Sequence, residues 1–493
     1  MEDVLPFGVA MAAFSLAGLL AVWSNRFSER IHIPAPALFL FAAAIASDVF
    51  PSLGTLPMVD VQRVVTVMLV LLLFDGGLHI GRSRFRTAAL PVLVVGVLGT
   101  ALTAAGIAAF AHVALGLDWR IGLLLGVALS PTDPAVVFSV LGRREIGGRS
   151  GTLLEGESGA NDPVGIAAMA AVLGAGTVGG WSAVGHGFDE FALQMLVGGA
   201  VGVVGGYLLG MVMHRVPLPS GALYPLQTLL GAGVMYGAAT AAHGSGFLAV
   251  FVAGIALGDV HAPYKAEIER FHSSLASLAE IVAFAVLGLT VSVHDIVTSD
   301  IWAVGLLLAL VLAFVLRPLL VGLLLLPVEL RPGERFFVLW SGLKGAVPLL
   351  LGTYILTSGV ADAERLYGIV VVVVVFSVVV QGGLVPIVAE RAGVPMRVVE
   401  PEPWALGMRF RDRPSGLRRF EVEPGSPADG TTIGELELDE DTWISMVSRA
   451  GTMVAVRGRT VLRAGDEVLV LVDPDADVER QVDPAGVFAP GSG

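Results

Sequence analysis

Long apolar stretches recur along the first 395 positions, separated by short breaks rich in charged residues, Gly or Pro. Each stretch is about 17 to 25 residues long, which is enough to cross the hydrocarbon core of a bilayer as a helix. The pattern predicts a polytopic α-helical membrane protein with about thirteen spans, at residues 5–23, 35–50, 62–80, 87–115, 119–141, 152–175, 188–213, 222–242, 246–259, 272–292, 300–327, 335–358 and 364–390.

Basic residues mark alternate loops between these spans and so predict the orientation of the chain. One side holds the basic residues Arg26, Arg30, Arg82, Arg84, Arg86, Arg143, Arg144, Arg149, Arg215, Lys265, Arg270, Arg331, Arg335, Arg391 and Arg397. The other side holds Arg63, Arg120 and Arg365. Cytoplasmic loops carry an excess of Lys and Arg. We therefore expect the N-terminus outside the cell membrane and everything after residue 391 in the cytoplasm.

Composition supports this class and excludes others. The chain is 55% hydrophobic and 15% charged, with a mean hydropathy of +0.80, whereas soluble domains are about 25% charged. The chain has no cysteine, which excludes a disulfide framework. Its net charge of −13 argues against nucleic acid as a partner, because phosphate binding needs clustered Lys and Arg.

The pattern changes after the last span, so the chain divides into a transmembrane domain at 1–395 and a tail. From about residue 404 the apolar runs shorten and alternate, with predicted strands MVAV at 453–456 and EVLVLV at 467–472. We interpret 404–480 as a small cytoplasmic α+β domain. The Pro/Gly-rich end at 481–493 is predicted to be disordered.

Ionisable residues inside the predicted spans are few, and each is a functional hypothesis because a charge near the bilayer centre is costly. They are Asp75, Asp133, Glu157, Asp162, Glu280, Arg317 and Lys344. Glu157 and Lys344 are interpreted as a structural ion pair. Arg317 is expected to extend toward a membrane interface, and the role of Glu280 stays open.

Helix breakers stand beside two of these carboxylates. Pro131 and Pro134 bracket Thr132-Asp133, and Gly159 and Pro163 bracket Asn161-Asp162. Irregular backbone survives at membrane depth where it lines a cavity or packs against protein. The pattern predicts two interrupted helices that meet near the midplane, with carbonyl and carboxylate oxygens as ligands for Na⁺ or K⁺.

A buried carboxylate at such a site can hold either a cation or a proton, because desolvation disfavours the bare anion. Competition of the two at Asp162 predicts an obligatory exchange if only the loaded form crosses the membrane. No cofactor is expected, and no enzyme signature accompanies these residues. The carboxylates would be tolerated because they hold the transported ions.

With these residues in place, the chain resembles the NhaP-type branch of the monovalent cation:proton antiporters over about residues 1–395. The motifs that carry the resemblance are FDGGL at 74–78, SPTDPA at 130–135, GESGANDP at 156–163 and GLKGAVP at 342–348. The resemblance implies thirteen helices in inverted repeats, a six-helix core that moves against a dimerisation domain, and a homodimer.

The resemblance also implies roles for individual residues. Asp162 would be the cation and proton carrier, and Asn161 would hold the interrupted segments. Coordination would be completed by Thr132, Asp133, Ser158 and Asp75.

One departure concerns the basic residue of the GLKGAVP motif, which is usually Arg in this branch and here is Lys344. Lysine is a compact charge that loses its proton readily on burial, whereas arginine stays charged. Asn161 is kept at the first position of the Asn-Asp pair, and electroneutral one-for-one exchange is therefore expected.

The tail resembles the C-terminal half of potassium-conductance regulator domains, as in GRTVLRAGDEVLVLVD at 458–473. Similar tails occur in cell-volume-regulation antiporters, usually assigned to potassium/proton exchange, which favours K⁺ over Na⁺. The tail is expected either to bind a cyclic dinucleotide or nucleotide effector or to act as a plain dimer clamp.

The rival functions are a ligand-gated cation channel and an efflux gate without proton coupling. A channel would be expected to carry a TVGYG-type filter, and the sequence has none. An efflux gate of the glutathione-regulated type would need a complete nucleotide-binding module with a GxGxxG turn. Proton coupling distinguishes the antiporter from both.

Overall fold

The structure is a computed structural model that describes most of the chain. The described residues are 34–141, 144–146, 148–175, 181–260, 262–398, 417–436, 438, 442–449, 452–472 and 485–488, with Leu16, Gly18, Leu19 and Trp23. The chain divides into two compact units, Met1–Pro403 and Trp404–Gly493. Most of the predicted first span, 5–23, lies outside the described residues.

The first unit is helical, and a helix lies at each of the twelve predicted spans from 35–50 onward. In chain order they are α1 Ala35–Val49, α2 Met58–Leu93, α3 Thr100–Leu115, α4 Trp119–Leu129, α5 Ala135–Leu141, α6 Gly148–Ala175, α7 Trp181–Arg215, α8 Leu223–Ala241, α9 Gly246–Gly258, α10 Lys265–Gly288, the short α11 Val293–Thr298, α12 Ile301–Val311, α13 Arg317–Leu324, α14 Pro332–Trp340, α15 Ala346–Thr357, α16 Ala363–Phe376 and α17 Gly383–Arg391. One-turn π segments join α2 to α3, α12 to α13 and α16 to α17.

Length and composition suit these helices to a membrane. Within the described chain, six helical stretches are long and apolar enough to cross a bilayer: Met58–Arg86, Ala88–Leu115, Gly185–Arg215, Lys265–Gly288, Ile301–Leu324 and Ala363–Arg391. Four shorter apolar helices, α1, α4, α9 and α15, lie among them. The polytopic helical fold is confirmed, while the count of thirteen stays a prediction.

Close glycine contacts bring two of the helices together. A Cβ atom at Gly77 of α2 would collide with the Phe251 carbonyl of α9, and one at Gly254 would lie 2.6 Å from the Phe74 carbonyl. Small residues allow this approach of two backbones, which is the usual way that membrane helices pack. The face of α2 that carries the FDGGL motif is therefore fixed against α9.

Two pairs of short helices are interrupted spans. Helix α4 ends at Leu129 and α5 begins at Ala135, so Ser130–Pro134 is non-helical, as Pro131 and Pro134 predicted. Helix α14 ends at Trp340 and α15 begins at Ala346, leaving 341–345 non-helical. This second interruption carries Lys344, and it was not predicted.

The predicted interruption of the helix at 159–163 is wrong. Helix α6 runs from Gly148 to Ala175 with Pro163 inside it. A proline within a transmembrane helix is tolerated where neighbouring helices satisfy or cover the freed backbone group. Such packing is present one turn earlier, where the Phe251 ring leaves no room for a Cβ atom at Gly159. The two interrupted helices are therefore those at 119–141 and 332–357.

The second unit contains a four-stranded antiparallel sheet. Its strands are β3 Leu417–Glu421, β4 Thr442–Arg449, β5 Thr452–Val454 and β6 Asp466–Val472, in the order β3-β6-β4-β5. The predicted strands at 453–456 and 467–472 correspond to β5 and β6. Two further strands among the described residues, β1 Arg144–Ile146 and β2 Met396–Val398, belong to the first unit and pair with each other.

The predicted disorder of 481–493 is wrong for the short helix α18, Ala485–Phe488. The Phe488 side chain is buried and stacks on Phe420, with ring centroids 5.1 Å apart. The backbone is held as well, since the Glu423 N–H donates to the Phe488 carbonyl at 3.0 Å. Burial of Val487 and Phe488 in the sheet's core orders this part of a segment whose composition suggested disorder.

Asp466 is the buried charge among the described residues of the second unit. Its carboxylate receives two hydrogen bonds of 2.7 Å from the Arg449 guanidinium and one of 2.9 Å from the Arg463 N–H. Burial opposes ionisation of Asp466, and these donors more than offset it, so they hold its pKa below the ordinary value of 3.8.

Replacing Asp466 by alanine should therefore destabilise the C-terminal unit by about 2–3 kcal/mol, because the change removes a buried carboxylate that accepts charge-assisted hydrogen bonds from Arg449 and one from the Arg463 N–H. Since the folded pKa is lowered, the stabilisation is complete above the ordinary value and is lost as the pH falls through the lower folded value. Limited proteolysis of the full chain across urea and pH measures both effects. Glu467→Gln, in a half-exposed pair with Arg419, should change the midpoint by less than about 1 kcal/mol.

Candidate functional site

The interrupted helices cross at 130–134 and 341–345, and Asp133 lies at the crossing. Its backbone N–H donates to the Leu343 carbonyl at 2.8 Å, which joins the two non-helical segments. Its carboxylate accepts from the Ala135 N–H at 2.9 Å, and the Ala346 N–H also stabilises its negative charge. These are the first residues of α5 and α15, so one carboxylate faces the positive ends of two half-helices.

Lys344 lies at the opposite kind of helix end. Its ammonium group donates to the carbonyls of Ser130 at 3.0 Å and Pro131 at 2.9 Å, just past the end of α4. The side chain is 2% exposed. A cation at a helix C-terminus stabilises the unpaired carbonyls there. Lys344 therefore neutralises the negative end of the first half-helix.

Arg317 neutralises the negative end of α14 and also pairs with Glu157. Its guanidinium donates to the Leu339 carbonyl at 2.9 Å, near the end of α14, and lies 2.9 Å from the Glu157 carboxylate. Both side chains are buried. A Cβ atom at Gly342 would collide with this guanidinium.

Two sequence predictions are corrected here. Glu157 pairs with Arg317 in the structure, not with Lys344, whose ammonium is directed to backbone carbonyls. Arg317 is 4% exposed and does not extend to an interface. The physical reason is the end of α14, whose free carbonyls and neighbouring carboxylate together satisfy a buried guanidinium.

A hydrogen-bond network ties α6 to the first interruption. The Asn161 amide oxygen accepts from the Thr132 N–H at 3.2 Å, and its amide nitrogen donates to the Thr132 hydroxyl at 2.7 Å. The Ser158 hydroxyl donates to the Thr132 carbonyl at 2.6 Å. All three residues are buried. The structure thus brings together three of the predicted site residues through direct contacts.

Asp162 follows Asn161 on α6 and, unlike Asn161, Ser158 and Thr132, has a polar atom without a hydrogen-bond partner in the part of the chain that the structure describes. The residue is 8% exposed, and its Oδ1 atom is buried without a hydrogen-bond partner among the described residues. Asp133 and Lys344 act on it electrostatically, one repelling its negative charge and one attracting it. A buried carboxylate oxygen without a donor is stable when it holds a proton or a cation.

The side chain of Asp75 makes its contacts outside the network around Thr132. The carboxylate accepts from the Ser273 hydroxyl at 3.3 Å and lies 3.4 Å from the His79 ring nitrogen. These partners belong to α10 and α2, on the face of the FDGGL motif, and none of them contributes to the network around Thr132. The structure therefore brings Asp133, Asn161, Ser158 and Thr132 around the crossing and connects Asp75 to a different pair of helices.

Three positions have roles that the sequence pattern does not reveal. The partner of Arg317, Glu157, is distant in the chain. Gly342 and Gly345, which flank Lys344, mark the second interruption, because a Cβ atom at either would collide with a charged side chain. Two glycines around a lone lysine in an apolar run were the available signal. Glu280, left open, has a buried Oε1 atom that lacks a partner within the described part of the chain.

Two interrupted helices that cross with charges at their ends, beside a buried carboxylate, define a secondary ion transporter. The family model for the transmembrane part of sodium/hydrogen exchangers matches residues 14–391, and the TrkA-C domain model matches residues 417–481. The chain belongs to the sodium/hydrogen exchanger family. The predicted resemblance to cation:proton antiporters with a TrkA-C tail is thereby confirmed.

Relatives support this assignment over most of the chain. The K(+)/H(+) antiporter NhaP of Alkalimonas amylolytica is 32% identical over 463 residues, which is 92% of this chain and 79% of that protein. The K(+)/H(+) antiporter NhaP2 of Shewanella sp. (strain MR-4) is 31% identical over 481 residues, 93% of this chain and 80% of the relative. The Na(+)/H(+) antiporter NhaH of Halobacillus aidingensis is 27% identical and covers 67% of this chain and 83% of its own length.

A solved structure shares the fold. The sodium proton antiporter MjNhaP1 from Methanocaldococcus jannaschii, determined at pH 8, superposes with a TM-score of 0.66 at 21% identity, covering 78% of this chain and 99% of that one. An electron microscopy map of the same antiporter gives a TM-score of 0.64 at 22% identity, with coverages of 78% and 97%. The chain is a cation/proton antiporter, as predicted.

Replacing Arg317 by methionine should lower the free energy of unfolding by about 3–5 kcal/mol, because Glu157 would keep a buried charge without its partner. The double variant Arg317→Met/Glu157→Gln should lose less than Arg317→Met alone. Thermal unfolding of purified protein in detergent gives the comparison. Arg149→Gln, which breaks an exposed pair with Glu329, should stay within about 1 kcal/mol of wild type; a double variant that is less stable than the single one would contradict this account.

Replacing Gly345 by alanine should abolish or strongly reduce cation/proton exchange, because the added methyl group would displace the Asp133 carboxylate from the two half-helix ends. Exchange by the purified, correctly folded variant in liposomes is the measurement. Gly237→Ala is the matched control, since a Cβ atom there would meet no other described atom within 4 Å. Full activity of Gly345→Ala would show that the position of Asp133 does not matter.

Proposed function

We propose that this antiporter exchanges K⁺ for H⁺, one for one, by competition of the two ions for Asp162. The observation that carries the proposal is the buried Oδ1 atom of Asp162, which lacks a donor within the described residues while its neighbours are paired. Ser158, Asn161, Thr132 and Asp133 supply oxygen atoms around the crossing. Oxygen ligands of this kind suit an alkali cation.

Competition of the cation and the proton for one carboxylate couples their transport, and no second ion-binding site is required. The deprotonated, negatively charged Asp162 attracts a cation. The protonated Asp162 is neutral and does not bind one. The bare, empty carboxylate is the costly state in a low-dielectric site. The loaded forms therefore cross the membrane more readily than the empty one, and transport of one ion in one direction requires return of the other.

Potassium as the main cargo is supported by the relatives and by the tail. The two relatives named as K(+)/H(+) antiporters match 92–93% of this chain, including the C-terminal unit. The relative named as an Na(+)/H(+) antiporter matches 67% of it. Na⁺ is a second cargo in this proposal, because the same oxygen types bind both ions.

One-for-one exchange is supported by the position of Lys344. Its ammonium donates to two backbone carbonyls at the end of α4. Loss of the lysine proton would remove a charged donor from these two carbonyls, and this opposes release of a second proton by Lys344 during the cycle. Asp162 is then the group that alternates between the proton and the cation, and the exchange is electroneutral.

The charge pattern supports a proposal for the orientation of the antiporter in the membrane, and the tail supports one for its regulation. We place the N-terminus outside the cytoplasmic membrane and the C-terminal unit in the cytoplasm, as the loop arginines predict. The functional form in this proposal is a homodimer. The TrkA-C unit regulates transport by binding a cyclic dinucleotide or nucleotide.

Proteoliposomes with an internal pH dye and an imposed proton gradient test the exchange. Adding K⁺ to wild type should dissipate the gradient, adding Na⁺ should do so less, and Asp162→Asn should respond to neither. Asp189→Asn, at an exposed acid in the first part of α7, is the control. If Asp162→Asn still dissipates the gradient, the carboxylate is not the carrier; if K⁺ moves without protons in wild type, the protein is a channel.

Electroneutrality has its own measurement in the same vesicles. Clamping the membrane potential at zero with a lipophilic ion, or setting it to either sign, should leave the initial rate of K⁺-driven proton movement unchanged, because no net charge crosses per cycle. A rate that rises or falls with the sign of the potential would show a second proton and would assign Lys344 an active part.

A further inference from the structure

The two short strands of the first unit form a link between the tail and the ion site. Strand β1, Arg144–Ile146, pairs antiparallel with β2, Met396–Val398, with Ile146 opposite Met396 and Arg144 opposite Val398. They are distant in sequence and lie on the side that the basic loops predict to be cytoplasmic. Neither is part of a span, and nothing in the exchange chemistry requires them.

Strand β1 connects the two helices that form the ion site. Helix α5 follows Asp133 and ends at Leu141, and α6, which carries Asp162, begins at Gly148. Ile146 is buried in the core of the first unit, and a Cβ atom at Gly151 would collide with its carbonyl. Because β1 is fixed to the start of α6, a shift of β1 must move or strain that helix.

The chain leading to β2 is fixed to the second interrupted helix. Helix α17 ends at Arg391, and the following Ala392 carbonyl is so close to α14 that a Cβ atom at Gly333 would collide with it. Val394 is buried, and its N–H donates to the Ala389 carbonyl at 3.1 Å. The β1–β2 ladder therefore joins segments that are attached to both interrupted helices.

The chain that follows β2 leads directly to the C-terminal unit, which begins at Trp404. A two-stranded ladder of three residues is marginally stable by itself, so its pairing responds to a modest pull on either strand. We infer that the β1–β2 ladder is the element through which the TrkA-C unit controls exchange, by shifting the end of α5, which follows Asp133, and the start of α6, which carries Asp162. The inference rests on the proposed regulation by the tail.

A reversible disulfide across the ladder tests this link. The chain has no native cysteine, and Glu145 and Arg397 are directly opposite Cα partners, which is within disulfide reach in an antiparallel pair. The variant Glu145→Cys/Arg397→Cys is made in the full chain, with each single cysteine variant as a control for oxidation. Formation of the disulfide is read by mass spectrometry, and failure to form it overturns the pairing.

The tail is then perturbed in the locked and unlocked protein. Asp466→Ala and, independently, Phe488→Ala loosen the C-terminal unit, which proteolysis of the full chain verifies. When the disulfide is reduced, each of these two variants should change the exchange rate by about fivefold or more. Fivefold is the lower end of the usual effect of one coupled site on another. In the oxidised form the same variants should leave the rate unchanged.

Two results would overturn the inference. One is an equal effect of the tail variants in oxidised and reduced vesicles; the other is no effect in reduced vesicles although the tail has loosened. The assay uses whichever of K⁺ and Na⁺ drives the larger exchange in wild type. A preference for Na⁺ would therefore contradict the potassium assignment and leave the result for the ladder intact.

Discussion

The ends of half-helices inside a membrane must be satisfied by the protein itself, and this constraint organises the antiporter. Two spans stop and restart near the same point, which exposes two positive and two negative helix ends where water cannot compensate them. Asp133 serves both positive ends, while Lys344 and Arg317 serve one negative end each. Three buried charges, which are unexpected inside a chain this apolar, are thus each explained by the helix ends that they contact.

Once the helix ends are satisfied, Asp162 stands out, because this carboxylate lies at the crossing and its Oδ1 atom has no donor in the described part of the chain. Thr132, Ser158 and Asn161 are held by mutual hydrogen bonds. A rigid, paired frame around an unpaired carboxylate keeps the ion-binding oxygens in place whether a proton or a cation is bound. The pairing of the frame is thus a condition for the exchange at Asp162.

Residues with a strong local effect were predictable from the sequence. Pro131 and Pro134 each remove a backbone donor within four residues of one another, so the first crossing segment and the place of Asp133 followed from the sequence. Pro163 shows the limit, because surrounding helices can keep such a residue inside a continuous helix. The interruption at 341–345 has glycines in place of proline, and only the collision of a Cβ atom with Arg317 or Asp133 explains them.

Partners far apart in the chain were not predictable. Glu157 could have paired with Lys344 or with Arg317, and the choice depends on which helix end each base faces. Asp75 was grouped with the other aspartates by motif, yet packing of α2 against α10 places it beside Ser273. Val487 and Phe488 are ordered by a sheet whose other strands the sequence pattern did not define.

Proton release on cation binding is the most direct test of competition at Asp162. Calorimetry of the purified protein in buffers of different ionisation enthalpy gives the number of protons released per K⁺ bound. The account predicts one proton per cation on the acid side of the titration, with an apparent affinity that falls about tenfold for each unit of decreasing pH. Binding of K⁺ without proton release, at an affinity independent of pH, would contradict it.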